Sequence, residues 1–112
     1  MSNEGEGEWK QFRLTYYDDS EATPTNSHPS DPYYGITASG RPSQEGLTIA
    51  TDPNVIPLGT WVLLKWPDGR TEKRRADDTG GAIKGMKVDY YVPKVTSDMG
   101  VEQVQIKVLG KA

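Results

Sequence analysis

The sequence predicts a small closed β-barrel, and three observations carry that reading. Six or seven short segments have strand character, no amphipathic stretch is long enough for a core helix, and 12 Gly and 8 Pro gather at the joints between segments. From Trp9 to Tyr17, Phe12, Leu14 and Tyr16 fall on one side, the period-two pattern of a half-buried strand. Asp18 to Pro32 is polar, with almost nothing apolar, and reads as an exposed loop or insertion at the rim of a site. Ile36 to Gly40 is a short strand or a turn; Leu47 to Thr51 is a better strand, ending at Asp52-Pro53. Pro57-Leu58-Gly59 turns into Thr60 to Trp66, the most convincing strand. Pro67-Asp68-Gly69 then closes a hairpin, because proline presets one turn dihedral and glycine supplies the positive one. Arg70 to Ala76 is the returning partner. Beyond a glycine-rich loop come a strand from Lys87 to Val92, a short helical turn around Thr96 to Met99, and an alternating strand from Val104 to Leu109.

The chain has 112 residues, enough for one modest core, and shows no internal repeat. Residues 1–8 read as a flexible N-terminal segment and 9–112 as a single barrel domain. With 13 basic and 16 acidic residues the net charge is −3, which gives no reason to expect a nucleic acid partner. There is no cysteine and one histidine, His28, so thiolate and histidine-based metal sites are excluded and no cofactor is expected. Met1 to Glu8 is acidic, unlike a secretory signal, and no apolar run approaches the roughly 18 residues of a spanning helix. Membrane insertion is therefore not expected.

Chemistry concentrates between Asp78 and Asp89. The two carboxylates flank a loop containing Gly80, Gly81 and Gly85, and Val88-Asp89-Tyr90-Tyr91 alternates as a strand. A turn followed by a strand brings Asp78 and Asp89 to one cleft. The glycine loop offers backbone N–H groups to ligand oxygens, or is turn geometry alone. It is not a phosphate-binding P-loop, because Lys84 is followed by Gly85.

Three ordered pieces carry a family resemblance: Ile36-Thr37-Ala38-Ser39-Gly40, then Ile49 to Thr60 with Asp52-Pro53, then Ala76-Asp77-Asp78-Thr79-Gly80-Gly81-Ala82-Ile83-Lys84-Gly85 with Val88-Asp89. Together they resemble the 3D domain, named for three aspartates and similar to the catalytic barrel of membrane-bound lytic transglycosylase A and of stationary-phase muralytic proteins. The resemblance runs from about Phe12 to Leu109. It implies a double-psi β-barrel that cleaves peptidoglycan between N-acetylmuramic acid and N-acetylglucosamine and leaves a 1,6-anhydro end. Carried over by position, the three aspartates are Asp52, Asp78 and Asp89, and the last matches the family's general acid/base. Thr51 stands where the pattern more often has valine or serine, and the loop from Asp18 to Tyr34 is longer than in minimal versions.

Glycosidic cleavage needs a proton on the leaving oxygen and usually a second carboxylate. Anhydro-ring closure relaxes this, because the sugar's own C6 hydroxyl is the nucleophile and one carboxyl can serve as acid and then as base. Asp89 is the candidate acid/base, with its pKa raised by apolar walls or by a neighbouring carboxylate; Asp78 and Asp52 are those neighbours and further catalytic candidates, either of which could stabilise developing positive charge on the sugar ring. Aspartates in tight turns also bind backbone amides, so each has a purely structural alternative. Candidate glycan-binding residues are Tyr16 by ring stacking, in a Tyr16-Tyr17 pair that either offers a stacking ring or puts one ring in the core and one on the surface, Thr37 and Ser39, and Thr79, Gly80, Gly81 and Lys84 of the loop. At least one of Trp61 and Trp66 belongs to the core. Arg70, Lys73, Arg74, Arg75, Lys84 and Lys87 form a local basic cluster that meets stem-peptide carboxylates or is a solvated hairpin face.

Two other readings compete with an enzyme acting on glycan strands. One is a non-catalytic cell-wall polysaccharide-binding barrel of the expansin type, since one fold hosts many activities. The other is half of a dimeric aspartic protease, from Asp78-Thr79-Gly80, disfavoured because Arg74-Arg75-Ala76-Asp77 and not an apolar strand precede the triplet. The absence of a signal in this chain leaves delivery to the wall to a phage tail, an injection apparatus or a longer exported parent. Three aspartates also leave weak binding of a hard cation open.

Overall fold

A computed structural model describes residues 8–19 and 36–111. Most of the expected rim loop, and all but the last residue of the expected flexible start, lie outside these residues. Six strands form: β1 (Lys10–Tyr17), β2 (Thr48–Ala50), β3 (Thr60–Lys65), β4 (Thr71–Asp78), β5 (Lys87–Tyr91) and β6 (Glu102–Lys111). They close into a barrel in the order β1-β5-β2-β4-β3-β6. β1 runs parallel to β5 and β2 parallel to β4, while every other neighbouring pair is antiparallel. This is the all-β, double-psi barrel expected, with six strands.

Alternation builds the interior. Phe12 and Leu14 of β1, Val62 and Leu64 of β3, Val88 of β5, and Val104 and Ile106 of β6 join Ile49, Ile56 and Ala76 in one buried cluster. Each large aliphatic side chain so buried contributes about 1.5–3 kcal/mol relative to exposure. Trp66 packs against this cluster beside Tyr16 and Tyr90, whereas Trp61 faces outward next to Arg75 in register. Tyr16, Tyr90 and Trp66 meet edge to face, with ring centroids 5.8 and 5.6 Å apart, and close one end of the barrel.

The hairpin between β3 and β4 forms where expected. Trp66 N–H donates to Arg70 C=O at 2.9 Å, and Gly69 takes φ +93°, a conformation that side chains with a Cβ rarely adopt. Ile36 to Gly40 is a turn with one bridge, Ile36 to Pro42, and Gly40 N–H donates to Thr37 C=O at 2.9 Å. The segment Thr96 to Met99 is a single hydrogen-bonded turn, Met99 N–H to Thr96 C=O at 3.1 Å; it does not extend to a helix, since Ser97-Asp98 lies between a proline-containing bend and Gly100. Among the described residues no helix is long and apolar enough to cross a membrane.

Candidate functional site

A single row of residues crosses four strands in register: Thr15 on β1, Asp89 on β5, Ala50 on β2 and Asp78 on β4. Partners in register point to the same face of a sheet. The preceding positions on the first three strands, Leu14, Val88 and Ile49, are core, so the row lies on the outer face. Because β2 separates β5 from β4, the backbones of Asp89 and Asp78 lie about 9–10 Å apart.

Asp78 reaches that face through a bulge. Ile49 pairs with Ala76, but the next residue, Ala50, pairs with Asp78, leaving Asp77 as the extra residue of β4. With strict pairing Asp77 would oppose Ala50 and Asp78 would turn inward. The displaced Asp77 is fully buried and pairs with two cations, Arg75 Nε at 2.7 Å and an Arg41 terminal nitrogen at 3.2 Å. Its carbonyl accepts the Ser39 N–H at 2.9 Å. The same turn is held by Asp78, whose Oδ1 accepts Ala38 N–H at 3.0 Å and Thr79 N–H at 3.0 Å. Asp78 Oδ2 accepts the Tyr17 hydroxyl at 3.0 Å. Three donors thus hold this carboxylate.

Asp89 is held differently. The Thr15 hydroxyl donates to its Oδ1 at 2.9 Å, and no other hydrogen bond to its side chain occurs among the described residues. Burial pushes its pKa up; the Thr15 hydrogen bond and the Lys87 charge oppose this, and the Asp78 charge adds to it. Asp52 moves in the opposite direction. Gly85 N–H donates to its Oδ2 at 2.8 Å and Asn54 N–H to its Oδ1 at 2.9 Å, and these amides, with help from Lys84, hold it below the usual carboxylate range. Asp52 therefore pins the far end of the glycine loop to the end of β2. Gly85 there takes φ +66°.

The remaining sequence candidates divide between two faces. Thr37, Ser39, Thr79 and Gly80 gather around Asp78 and the turn it holds: the Thr37 hydroxyl is spent on Arg41 C=O at 2.7 Å and on Ser39 Oγ at 2.9 Å. Gly80 sits tight against Ile83, where an added Cβ would come within 3.0 Å of Cγ1, while Gly81 faces open space. Lys84 lies near Asp52. Tyr16 points to the opposite face, toward the barrel end with Tyr90 and Trp66. Its neighbour Tyr17 is the tyrosine on the aspartate face, packed with Ala50, Ile83 and Tyr91 and kept protonated because burial, and then the Asp78 charge, raise its pKa. The basic cluster also divides: Arg74 and Arg75 pair with Glu72 and Asp77. Among the described residues no group of three or more acidic or histidine side chains converges to hold a metal ion.

Sequence reasoning named Tyr17 with Tyr16 as a stacking pair without saying which ring faces the site, and it overlooked Thr15 and Asp77. The signal for Thr15 was present, since Phe12, Leu14 and Tyr16 on the inner side leave Thr15 and Tyr17 on the other.

Comparison with known proteins locates this arrangement. The family model described as 3D domain matches residues 47–110. The cell wall-binding protein YocH of Bacillus subtilis is 46% identical over 80 residues, covering 67% of this chain and 26% of YocH. The crystal structure of MltA from E. coli superposes with a TM-score of 0.56 at 32% identity, over 69% of this chain and 28% of MltA. A Streptomyces papain inhibitor shares the fold over 93% of this chain and 96% of its own, with a TM-score of 0.60 and 21% identity. The chain spans about a quarter of the length of YocH and of MltA.

Proposed function

We propose that the chain, which belongs to the 3D domain family, acts on peptidoglycan glycan strands as a lytic transglycosylase with Asp89 as its acid/base. The observation that carries this reading is the environment of Asp89: an outward-facing carboxyl with one hydroxyl donor and a pKa raised by burial. Such a group holds a proton closer to neutral pH than an ordinary aspartate does. The match to MltA, a lytic transglycosylase of E. coli, supports the same chemistry.

In this reaction Asp89 donates its proton to the bridging oxygen as the C1–O bond between N-acetylmuramic acid and N-acetylglucosamine breaks. The C6 hydroxyl of the same muramic ring then bonds to C1, and its proton returns to Asp89. One glycosidic bond is exchanged for the 1,6-anhydro ring, no water is consumed, and the acid is regenerated. Asp78 is a positioning residue, because its oxygens are occupied by Ala38, Thr79 and Tyr17. Asp52 has a similar task, holding the loop that contains Thr79 to Lys84. That loop and the turn with Thr37 and Ser39 border the glycan groove.

Purified sacculi incubated with the protein should release anhydro-muropeptides, and Asp89→Asn should release none. Absence of such products with the parent protein, across pH and wall source, would sink the proposal.

A second reading is favoured by one observation, the name of YocH as a cell wall-binding protein. In it the barrel binds wall polysaccharide without cleaving it, as an expansin-like module does. Retention on sacculi that survives Asp89→Asn, with no fragments released by either protein, would select this reading.

A further inference from the structure

The outer face of β6 and β3, with the adjoining ends of β1 and β4, carries positive charge. Across the outer faces of β1, β6, β3 and β4, the register aligns Gln11, Gln105, Lys65 and Thr71, then Lys107, Leu63 and Lys73, then Gly110, Trp61 and Arg75, with Arg13 beside Gln103. These rows contain no Asp or Glu, in a chain whose net charge is −3. Lys65, Lys73, Lys107 and Arg13 form no salt bridge among the described residues. Lys107 and Lys73 flank Leu63 two strands apart, Lys65 lies one strand across and two residues along from each of them, and Arg75, two residues along from Lys73, is paired with Asp77, so the backbones of neighbouring cations lie about 7–10 Å apart.

Two tryptophans organise this surface. Trp9 carries Lys65 Nζ at 4.3 Å and Lys107 Nζ at 5.4 Å from its ring centroid, and Trp61 carries Lys73 Nζ at 4.7 Å and the Arg75 guanidinium at 5.3 Å. Beside them lies a hollow of about 450 Å³ bordered by Gln11, Gln103, Gln105, Lys65 and Trp66. The Gln11 side-chain amide donates to Gln103 Oε1 at 3.1 Å. The lining presents side-chain amides of glutamine and the Lys65 ammonium, and it has no carboxylate.

We propose that this face is a second binding surface, for a linear polyol phosphate chain: phosphates along the cations, and hydroxyl or phosphate oxygens in the glutamine and tryptophan hollow. A set of spaced cations suits a polymer with one charge per repeat, and its hydroxyl and phosphate oxygens are acceptors for the glutamine amides and the Lys65 ammonium of the hollow. The faces of Trp9 and Trp61 are already covered by ammonium and guanidinium groups, so they are not stacking platforms for bases. This separates a polyol phosphate from single-stranded nucleic acid, whose binding relies on such platforms.

The test measures binding of the whole protein to purified poly(glycerol phosphate), with single-stranded DNA of matched phosphate number as the competing polyanion. The parent should bind the polyol phosphate more tightly than the DNA, with log K falling against log salt at a slope of about −2 for three released counterions. The triple variant Lys65→Gln, Lys73→Gln, Lys107→Gln should lose about tenfold in affinity at moderate salt while melting at the parent temperature. On sacculi stripped of phosphodiester polymers it should release the same products as the parent, so failure of the catalytic reading and failure of this one are read separately. Affinity of the triple variant within twofold of the parent would overturn the proposal. A salt slope near zero, or tighter binding to the DNA, would do the same.

Discussion

Thr15 and Asp89 face each other in register on parallel strands, and the Thr15 hydroxyl donates to the Asp89 carboxyl at 2.9 Å. That hydrogen bond stabilises the ionised carboxylate, so it works against the burial that raises the pKa. Thr15→Val keeps the branched shape and removes the donor. The pKa of Asp89 should rise further, and the alkaline limb of the pH–rate profile for anhydro-muropeptide release should move to higher pH. An unmoved limb would mean that another group sets it.

The same shift predicts a stability signature. The folded pKa of Asp89 lies above its unfolded value, so its contribution to stability is fully present below the unfolded value and is lost as pH rises through the folded one. At neutral pH the ionised, partly buried carboxylate is a burden that Asp89→Asn removes. The variant should melt higher than the parent at about pH 7 and at or below it at about pH 3. Thermal unfolding followed by circular dichroism at the two pH values checks the sign.

Asp52 should behave in the opposite sense. Its pKa is held down by the amides of Gly85 and Asn54, so its contribution is present above the unfolded value and lost as pH falls through the folded one. Asp52→Ala should lower the melting temperature at neutral pH, and the difference should shrink in acid. It should also speed hydrogen exchange at the Gly85 amide, which loses its acceptor. Unchanged exchange there would separate Asp52 from the loop it holds.

Asp77 is the most expensive carboxylate to remove. It is fully buried, while Arg75 is 16% and Arg41 48% exposed, so the guanidinium groups left behind can turn to water and the cost is about 1–3 kcal/mol, below that of a fully buried pair. Asp77→Ala should therefore unfold at markedly lower denaturant concentration, with products still released by the folded fraction. A loss below about 1 kcal/mol would show that water reaches the site and pairs the arginines.

The barrel was legible because its core alternates cleanly, as Phe12-Leu14, Val62-Leu64 and Val104-Ile106 show, and because Pro67-Asp68-Gly69 specifies its own turn. The aspartates were legible as a motif, but their unequal surroundings were not. Those depend on which backbone amides arrive from distant segments, such as Ala38 at Asp78 and Gly85 at Asp52. Tyr16 and Tyr17 are told apart by alternation and not by composition: Phe12 and Leu14 carry Tyr16 to the inner side and leave Tyr17 on the other. Asp77 was hidden because a bulge breaks the alternation at the position where it was needed to predict burial.

That bulge makes residue count the property that the end of β4 has to conserve. Deleting one residue between Ala76 and Thr79 would leave a strand of similar composition that still pairs with β2, yet would exchange what faces inward and outward from that point on. Substitutions at this site are graded, whereas a length change is all or none. In homologous recombination or loop grafting, the segment from Ile49 to Ala50 and the segment from Ala76 to Asp78 should therefore be transferred together, as one cassette.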